Sequence, residues 1–311
     1  LAVCGFGLSA SMVFSGIVAF LLAEPAQFRV FIATAILLLT ASSATIVLVG
    51  QPARRAQPSD GLAFMVFFWV FAGIVCAPPF LMGLPNGSPM AAFHEAVSCL
   101  TTTGHSILDP ATGELPGSVL LWRALLHLVG AAATVTFAAT VLAALSLDGP
   151  GIHRTPLFSL SDESFFDSMP RVVKVTALYG SICVLLVFAI EVVGGIPVHT
   201  AFVDAVSALT TGLVDPASVS EDVVHAARSF GLSLGLILGS LGIFFMIQLA
   251  NRQWRKALVD AETLTFGMAL LIFSVIGVGL GLTGLNAIGW TLSSLSTSGI
   301  ALVDSSTTHS L

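Results

Sequence analysis

The chain alternates long apolar runs with short polar breaks. Seven runs are long enough to form membrane-spanning helices, at residues 2–23, 30–50, 61–82, 118–147, 172–195, 227–250 and 263–283. A helix needs about 20 apolar residues to cross a hydrocarbon core of about 30 Å. The pattern therefore predicts seven transmembrane helices.

Three shorter apolar runs each follow a full span, at residues 89–100, 200–209 and 287–295. A helix of about ten residues rises about 15 Å, which is half of a bilayer. Ser88 and Pro89 provide an N-cap and a first helical residue for the first of these runs. We expect three half-helices that enter the membrane without crossing it.

A cluster of hydroxyl residues ending in glycine follows each half-helix. The three clusters are Thr101, Thr102, Thr103 and Gly104; Thr210, Thr211 and Gly212; and Thr297, Ser298 and Gly299. Non-helical backbone at membrane depth is tolerated only where protein or a water-filled cavity surrounds it. Carbonyl and hydroxyl oxygens can replace the hydration shell of a cation, and glycine permits the backbone geometry that directs carbonyls at an axis. We interpret these ten residues as ligands of a cation filter.

The half-helix and its cluster form an internal repeat. Eight positions match at a constant offset of 109: Phe93, Glu95, Ala96, Val97, Ser98, Leu100, Thr101 and Thr102 with Phe202, Asp204, Ala205, Val206, Ser207, Leu209, Thr210 and Thr211. Leu100, Gly104 and Asp109 match Leu295, Gly299 and Asp304 at an offset of 195. Copies in the same orientation imply quasi-symmetry about the membrane normal. The predicted fold is an all-α integral membrane protein, with span, pore-helix, filter-loop and span units around a pseudo-symmetric cation pore. We divide it into an amino-terminal helix pair at 1–50, pore repeat 1 at 51–150, pore repeat 2 at 151–258 and an incomplete pore repeat 3 at 259–311.

The second repeat is three residues shorter than the first between the acidic residue of its half-helix and the acidic residue after its loop. In one alternative, Gly212 is the filter glycine on a shortened loop. In the other, the strand keeps its register and Leu213 takes the glycine position. We favour the first, because leucine would obstruct coordination, and expect an asymmetric filter in either case.

Charge and composition agree with a membrane protein. Charged residues make up 9% of the chain and hydrophobic residues 56%, and the mean hydropathy is +0.98. A soluble domain has about 25% charged residues. The eleven basic residues form no stripe that could bind nucleic acid, and the four scattered cysteines indicate neither disulfides nor zinc.

The basic residues also predict an orientation. Eight of the eleven lie in three loops on one side, which the positive-inside rule makes cytoplasmic: Arg54, Arg55, Arg154, Arg171, Lys174, Arg252, Arg255 and Lys256. The acidic residues beside the half-helices then lie outside, and so do the mouths of the filter.

Two motifs point to other chemistry. Gly231 to Gly235 fits the GxSxG of serine hydrolases, and Gly279 to Gly284 fits the GxGxxG of dinucleotide sites. Both lie in or at the end of apolar spans with no preceding strand, so we interpret their glycines as close helix contacts. We expect no enzymatic activity.

Several polar residues have simple structural interpretations. His94, His105 and His199 are expected to be polar residues near the outer face, and Glu191 an interfacial or pore-mouth carboxylate. Arg123 follows Trp122 at the start of a span, where an interfacial anchor is the ordinary interpretation.

At this point the motifs resemble a known family. "SCLTTTG", the later "LLWRALLHLVG", "FDSMPRVVKVTALYG" and "SSLSTSG" resemble the Trk/Ktr/HKT superfamily of potassium transporters, over about residues 51–311. The resemblance implies four pore loops around one potassium pathway, with an additional amino-terminal helix pair and no cofactor in this chain. It also implies a homodimer in the bacterial inner membrane and a cytoplasmic nucleotide-binding regulatory subunit of the TrkA or KtrA type.

The chain departs from this family in two places. It ends at Leu311, before a third inner helix and a fourth repeat, so we expect it to be a fragment. The segment "HLVGAAATV" after the first filter also has fewer glycines than is typical of the family. The alternative to potassium uptake is a degenerate or non-potassium membrane transporter with ordinary re-entrant loops.

Overall fold

The structure is a computed structural model that describes residues 1–50, 58–82, 88–107, 115–144, 165–212, 222–241, 245, 248, 252–300 and 302. Its secondary structure over these residues is helical, without strands. The α-helices are α1 (Ala2–Leu21), α2 (Pro25–Val49), α3 (Pro58–Cys76), α4 (Pro89–Leu100), α5 (Gly117–Ala144), α6 (Phe165–Val193), α7 (Val198–Leu209), α8 (Asp222–Ser240), α9 (Trp254–Val259), α10 (Ala261–Gly279) and α11 (Gly284–Leu295), with a 3-10 turn at Pro78–Met82. The all-α prediction is confirmed.

Within the described residues, six helical segments are long and apolar enough to cross a membrane: Ala2–Leu21, Pro25–Val49, Asp60–Leu81, Gly117–Ala138, Val172–Val193 and Ala261–Gly279. They coincide with six of the seven predicted spans, and the chain is a multi-pass membrane protein. The remaining predicted span, residues 227–250, coincides in part with α8. Most of its continuation after residue 241 lies outside the described residues.

The three predicted half-helices are present as α4, α7 and α11, each of 12 residues. At 1.5 Å per residue they are about 18 Å long, too short to span a bilayer. Ser88 caps α4 as expected, since its hydroxyl accepts a hydrogen bond from the Ala91 amide at 3.4 Å. Pro89 follows as the first helical residue.

The described residues divide into two compact units, Leu1–Val175 and Thr176–Leu311. In the first unit, α1 and α2 pack as a tight hairpin. A Cβ atom on Gly5 would collide with the Ser42 side chain, and one on Gly16 would lie 2.9 Å from Ile32. The Ser9 hydroxyl donates to the Ala35 carbonyl at 2.9 Å. Small residues thus let the two backbones approach closely.

Glu24, in the turn between α1 and α2, fastens this hairpin to α5. Its carboxylate accepts hydrogen bonds from the Gly117 amide at 2.7 Å and the Ser118 amide at 3.2 Å, and also from the Ser118 hydroxyl. These amides belong to the first turn of α5, where a carboxylate satisfies free donors and meets the positive end of the helix dipole.

The core of the first unit collects around Trp122 of α5, which is fully buried. Its indole N–H donates to the Cys76 carbonyl at 3.2 Å, and its ring packs edge-on against Phe31 at 5.7 Å. The interpretation of the Trp122–Arg123 pair as an interfacial anchor is therefore wrong. Both side chains are interior, with Arg123 only 3% exposed.

In the second unit, α8 presents small residues at every fourth position. Cβ atoms on Gly231, Gly235 and Gly239 would collide with Glu191, Ala208 and the Leu209 carbonyl respectively. Residues four apart share a helix face. The expectation that Gly231 and Gly235 make close helix contacts is confirmed.

The expectation of close helix contacts is wrong for the glycines of the GxGxxG-like motif at residues 279–284. Gly279, Gly281 and Gly284 have no atom within 4 Å of a built Cβ. Gly281 has a φ of +100°, so it serves a turn between α10 and α11.

Candidate cation filter

The three half-helices end in the same turn. The residue after each C-cap has a left-handed backbone, with φ of +55° at Thr102, +52° at Thr211 and +55° at Thr297. L-residues other than glycine rarely adopt this region, and β-branched residues least of all. Three threonines in this conformation, at equivalent positions of three helices, mark a specific local structure.

Hydrogen bonds identify that structure as a Schellman motif. At the end of α4, the Thr102 amide donates to the Cys99 carbonyl and the Thr103 amide to the Ser98 carbonyl, both at 3.0 Å. At the end of α7, the Thr211 amide donates to the Ala208 carbonyl at 3.3 Å and the Gly212 amide to the Ser207 carbonyl at 3.1 Å. At the end of α11, the Thr297 amide donates to the Ser294 carbonyl at 3.1 Å and the Ser298 amide to the Ser293 carbonyl at 3.2 Å. The motif normally has glycine at its left-handed position. Nothing in the sequence pattern predicts threonine at this position, because the motif's usual residue is glycine.

The predicted filter glycines differ between the loops. Gly104 and Gly299 have φ of +73° and +67°, so both need the freedom of glycine. Gly212 is not in the left-handed region, and its amide bonds to the helix as those of Thr103 and Ser298 do. The second loop thus follows the unbroken-register alternative as far as Gly212, whereas we had favoured the shortened loop. Leu213 lies outside the described residues.

The cap hydroxyls bind back to their own helices. Thr101 Oγ1 donates to the Val97 carbonyl at 2.9 Å, and Thr210 Oγ1 donates to the Val206 carbonyl at 2.8 Å. Ser296 Oγ donates to the Ser293 carbonyl at 3.2 Å. These hydroxyl protons are therefore engaged, so only oxygen lone pairs of the caps and the loop carbonyls can face a cation.

A serine inside two of the half-helices holds the loop that follows. Ser98 Oγ donates to the His105 carbonyl at 2.6 Å, and Ser207 Oγ donates to the Gly212 carbonyl at 2.5 Å. Sequence comparison had aligned these two serines without giving them a role. The Ser207 bond engages a carbonyl that we had predicted as a cation ligand.

The carboxyl-terminal ends of the first two half-helices pack closely against α5 and α8. A Cβ on Gly130 of α5 would overlap the Leu100 carbonyl, and one on Gly239 of α8 would overlap the Leu209 carbonyl. Both carbonyls belong to the last residue of a half-helix. Glycine is needed at these two contacts because backbone meets backbone there.

Buried charges accompany both loops. Glu95 of α4 is fully buried; its carboxylate accepts from the Ser106 hydroxyl at 2.9 Å and from the Ile107 amide. Arg123 Nε lies 4.0 Å from Glu95 Oε2, and an Arg123 terminal N–H donates to the Gly104 carbonyl at 3.4 Å. In the second unit, Arg228 of α8 makes two bonds to Asp204 of α7, at 2.6 and 3.1 Å. The sequence repeat aligns both acids, Glu95 and Asp204, without indicating their partners.

The histidines near the half-helices and Glu191 differ in their burial. His94 and His105 have rings in edge contact at 5.3 Å and, with Thr101 and Thr103, line an open cavity of about 690 Å³. His199 is exposed. Glu191 is fully buried against Gly231, so its interpretation as a mouth or interfacial carboxylate is wrong. Among the described residues, no three metal-binding side chains group together.

Comparison with known proteins identifies relatives over part of the chain. The Trk system potassium uptake protein TrkH of Salmonella typhimurium is 28% identical over 213 residues, which are 66% of this chain and 42% of that protein. TrkH of Vibrio parahaemolyticus is 31% identical over 105 residues, which are 33% of this chain and 21% of that protein. The matches thus span less than half of the length of these relatives. No protein-family model matches the chain.

A solved structure shows the same fold. The crystal structure of the potassium transporter TrkH from Vibrio parahaemolyticus superposes with a TM-score of 0.71 and 19% identity, covering 95% of this chain and 62% of that one. The resemblance to Trk-type potassium transporters, first suggested by the loop motifs, is confirmed by these comparisons.

Proposed function

We propose, from its likeness to Trk potassium uptake proteins in sequence and fold, that this chain passes potassium down its electrochemical gradient through a pore. The ion would be held by backbone carbonyls and hydroxyls of the three clusters, with no covalent chemistry. The observation that carries the proposal is the threonine-bearing Schellman turn at three half-helix ends.

Backbone strain supports a functional interpretation of these turns. A residue held in a sparsely populated backbone region costs about 1 to 3 kcal/mol and persists where the surroundings enforce it, often at functional sites. Here the cost recurs three times, while glycine, which avoids it, is abundant elsewhere, with 29 copies in the chain. The turn also ends each half-helix where its carboxyl-terminal dipole carries about −0.5 charge, which favours a cation.

The ligands divide unequally among the loops in this proposal. The first and third loops supply ligand segments that end in a left-handed glycine, and these segments are Thr101–Gly104 and Thr297–Gly299. In the second loop, Thr210 and Thr211 remain candidate ligands. The Gly212 carbonyl has a competing bond to Ser207. Selectivity depends on the number and field strength of ligands, so a weakened second loop would lower potassium preference.

The assembly is part of the proposal. Potassium uptake of this type would place the chain in a bacterial inner membrane with its basic loops cytoplasmic and its filter mouths outside. A homodimer and a cytoplasmic nucleotide-binding regulatory subunit of the TrkA or KtrA type would complete it. These features follow from the family resemblance and not from contacts of the described residues.

One observation favours a second candidate. Gly212 lies at the position equivalent to Thr103, so the second loop lacks a glycine that is equivalent to Gly104 up to this residue. A transporter of another cation would tolerate such a loop. A non-potassium membrane transporter with re-entrant loops therefore remains the alternative.

Ion flux in liposomes tests the proposal. The protein would be expressed as its full natural chain, reconstituted, and assayed for uptake of rubidium as a potassium tracer against a potassium or a sodium gradient. We expect uptake with a potassium gradient and about tenfold less inhibition by external sodium than by external potassium. Equal inhibition by both ions would favour the alternative, and no flux of either ion would contradict both.

A further inference from the structure

Each of the first two filter loops has a buried acid paired with an arginine beside it, and the arginine is buried in the first case and half-buried in the second. Glu95 and Arg123 are 0% and 3% exposed, and Asp204 and Arg228 have side chains 2% and 17% exposed. Burying charge is costly even in pairs, and apolar residues of similar size are often more stable. Their presence beside both loops calls for a reason other than stability.

In the first repeat, the two charges hold opposite ends of one short segment. Arg123 donates to the carbonyl of Gly104, at the end of the filter cluster. Glu95 accepts hydrogen bonds from Ser106 and Ile107, which lie two and three residues after Gly104. Glu95 belongs to the half-helix and Arg123 to α5, so the pair ties the loop to both helices that flank it.

In the second repeat, the same pairing is built from a different sequence position. Asp204 aligns with Glu95 at the repeat offset of 109. The equivalent contacts of Gly130 with Leu100 and of Gly239 with Leu209 show that the same offset holds in α5 and α8. At this offset Arg228 aligns with Val119, and Leu232 takes the place of Arg123. The arginine has moved by four residues, about one helical turn, which keeps it on the same helix face. Its guanidinium binds the shorter acid through two short bonds, at 2.6 and 3.1 Å.

Space around the second pair has changed in step with this move. Gly231 takes the aligned position of Trp122, and the room that the indole fills in the first unit is occupied in the second by the buried Glu191 side chain. The pairing of a half-helix acid with an arginine is thus present in both repeats although the arginine's position and its neighbours differ. We therefore interpret the pairing as a requirement of the site rather than as a consequence of sequence repetition.

We propose that Arg123 and Arg228, each paired with the acid of its own half-helix, are positioning residues that set the selectivity of the first two filter loops. The inference rests on the proposed potassium pathway. Arg123 fixes where the Gly104 carbonyl points, and Glu95 fixes Arg123 together with the outgoing loop. Arg228 fixes the half-helix α7 through Asp204, and with it the Thr210–Thr211 turn.

The same reasoning separates these residues from simple packing. A guanidinium that orients a carbonyl controls the direction in which that carbonyl points. Its loss should therefore alter the preference between ions more than it alters the folded fraction of the protein. A lysine keeps the charge but not the planar guanidinium, whose separate nitrogens face the Gly104 carbonyl at 3.4 Å and the Glu95 carboxylate at 4.0 Å. Arg123→Lys should therefore restore selectivity only in part.

The test compares single and double variants of the full chain in the liposome assay, with thermal unfolding in detergent as a measure of folding. Arg123→Gln and Arg228→Gln should each lower the preference for potassium over sodium about tenfold, because a misdirected carbonyl loses field strength at the ion. Arg123→Lys should lie between Arg123→Gln and the unsubstituted protein. Asp204→Asn should reproduce the effect of Arg228→Gln.

Glu191→Gln is the matched control. Glu191 is a buried acid in the same unit, and its carboxylate oxygens have no hydrogen-bond partner among the described residues. Its replacement should leave the preference unchanged, which would show that bonding to the arginine matters rather than buried charge in general.

The double variant Glu95→Gln with Arg123→Gln covers the case in which single variants fail to fold. It leaves no uncompensated buried charge, so it should fold better than either single variant, yet it should still lose selectivity. Folded variants with the selectivity of the unsubstituted protein would overturn the inference. A protein that shows no potassium preference before substitution would instead overturn the proposed function.

Discussion

Threonine in a left-handed backbone is the feature on which the candidate filter depends at the scale of single residues. Thr102, Thr211 and Thr297 share it to within a few degrees. The sequence predicted that each cluster follows a half-helix, as the structure has it, because hydroxyls after a short apolar run are conspicuous in an apolar chain. It could not locate the strain, because intrinsic preference assigns left-handed positions to glycine.

Substitution of Gly104 tests the filter at this scale. At a φ of +73°, Gly104→Ala would be strained and would shift the carbonyl that Arg123 bonds. We expect the preference for potassium over sodium to fall about tenfold, since selectivity depends on ligand direction and number. Permeability ratios in liposomes measure it.

Gly195→Ala is the control for Gly104→Ala. Gly195 has a φ of +90° with no atom near its built Cβ, and it lies outside the three loops. It should lose about 1 kcal/mol of stability through the same kind of strain and keep its selectivity. Equal loss of selectivity in both variants would mean that strain, rather than the filter, explains the effect.

At the scale of secondary-structure elements, the half-helices were predictable but their packing contacts were not. Their lengths, their order and the Ser88 cap were predictable, because apolar length and capping are local properties of the sequence. The roles of Glu95, Arg123 and Glu191 were not, because they depend on which helices pack together. Trp122 and Arg123 are the clearest case. They look like interfacial anchors in sequence and are interior in the fold.

Close contact between a half-helix and its neighbour predicts sensitivity at Gly130. Gly130→Ala would push a methyl group into the Leu100 carbonyl and displace the end of α4, costing about 1 to 3 kcal/mol as overpacking. Thermal unfolding in detergent measures this loss. Gly267→Ala, in open space on α10, should be within about 0.5 kcal/mol of the unsubstituted protein. Similar stability of the two variants would contradict the contact.

The register of the second loop predicts the effect of an insertion. One threonine added after Thr211 would move Gly212 on by one residue, from the position equivalent to Thr103 to that of Gly104. We expect potassium to bind more tightly, because the second loop would then end in glycine as the other two do. Calorimetric titration of the purified protein with potassium measures this.

A threonine inserted after Gly212 instead is the matched control. It lengthens the same loop by one residue but leaves Gly212 in its present register. It should not strengthen potassium binding. If both insertions act alike, loop length rather than register controls the site.

At the scale of the whole molecule, the orientation in the membrane is a prediction of the sequence alone. Single cysteines near Arg55, Arg154 and Arg255 should be shielded from an impermeant thiol reagent applied outside, and one near Glu114 should react. The four native cysteines would first be replaced. Labelling in the reverse pattern would overturn the topology and the placement of the filter mouths.

The attachment of the amino-terminal hairpin also acts at this scale. Glu24→Gln would weaken three hydrogen bonds to the start of α5, and should cost about 1 to 3 kcal/mol of stability, because charge-assisted bonds are the stronger ones. Thermal unfolding in detergent measures it. Glu262→Gln, exposed at the start of α10, should change stability less, and an equal loss in both variants would contradict the attachment.

The same contact has a consequence for how the protein is made. Gly117 follows Glu24 by 93 residues, and ribosomes add about 5 to 20 residues per second, so the carboxylate waits about 5 to 20 s for its partner. Throughout that interval a charged turn and a completed hairpin sit in the membrane without the helix that binds them. A chaperone or the insertion machinery would have its best opportunity to hold the nascent chain at this stage, and premature release there would leave the hairpin unattached.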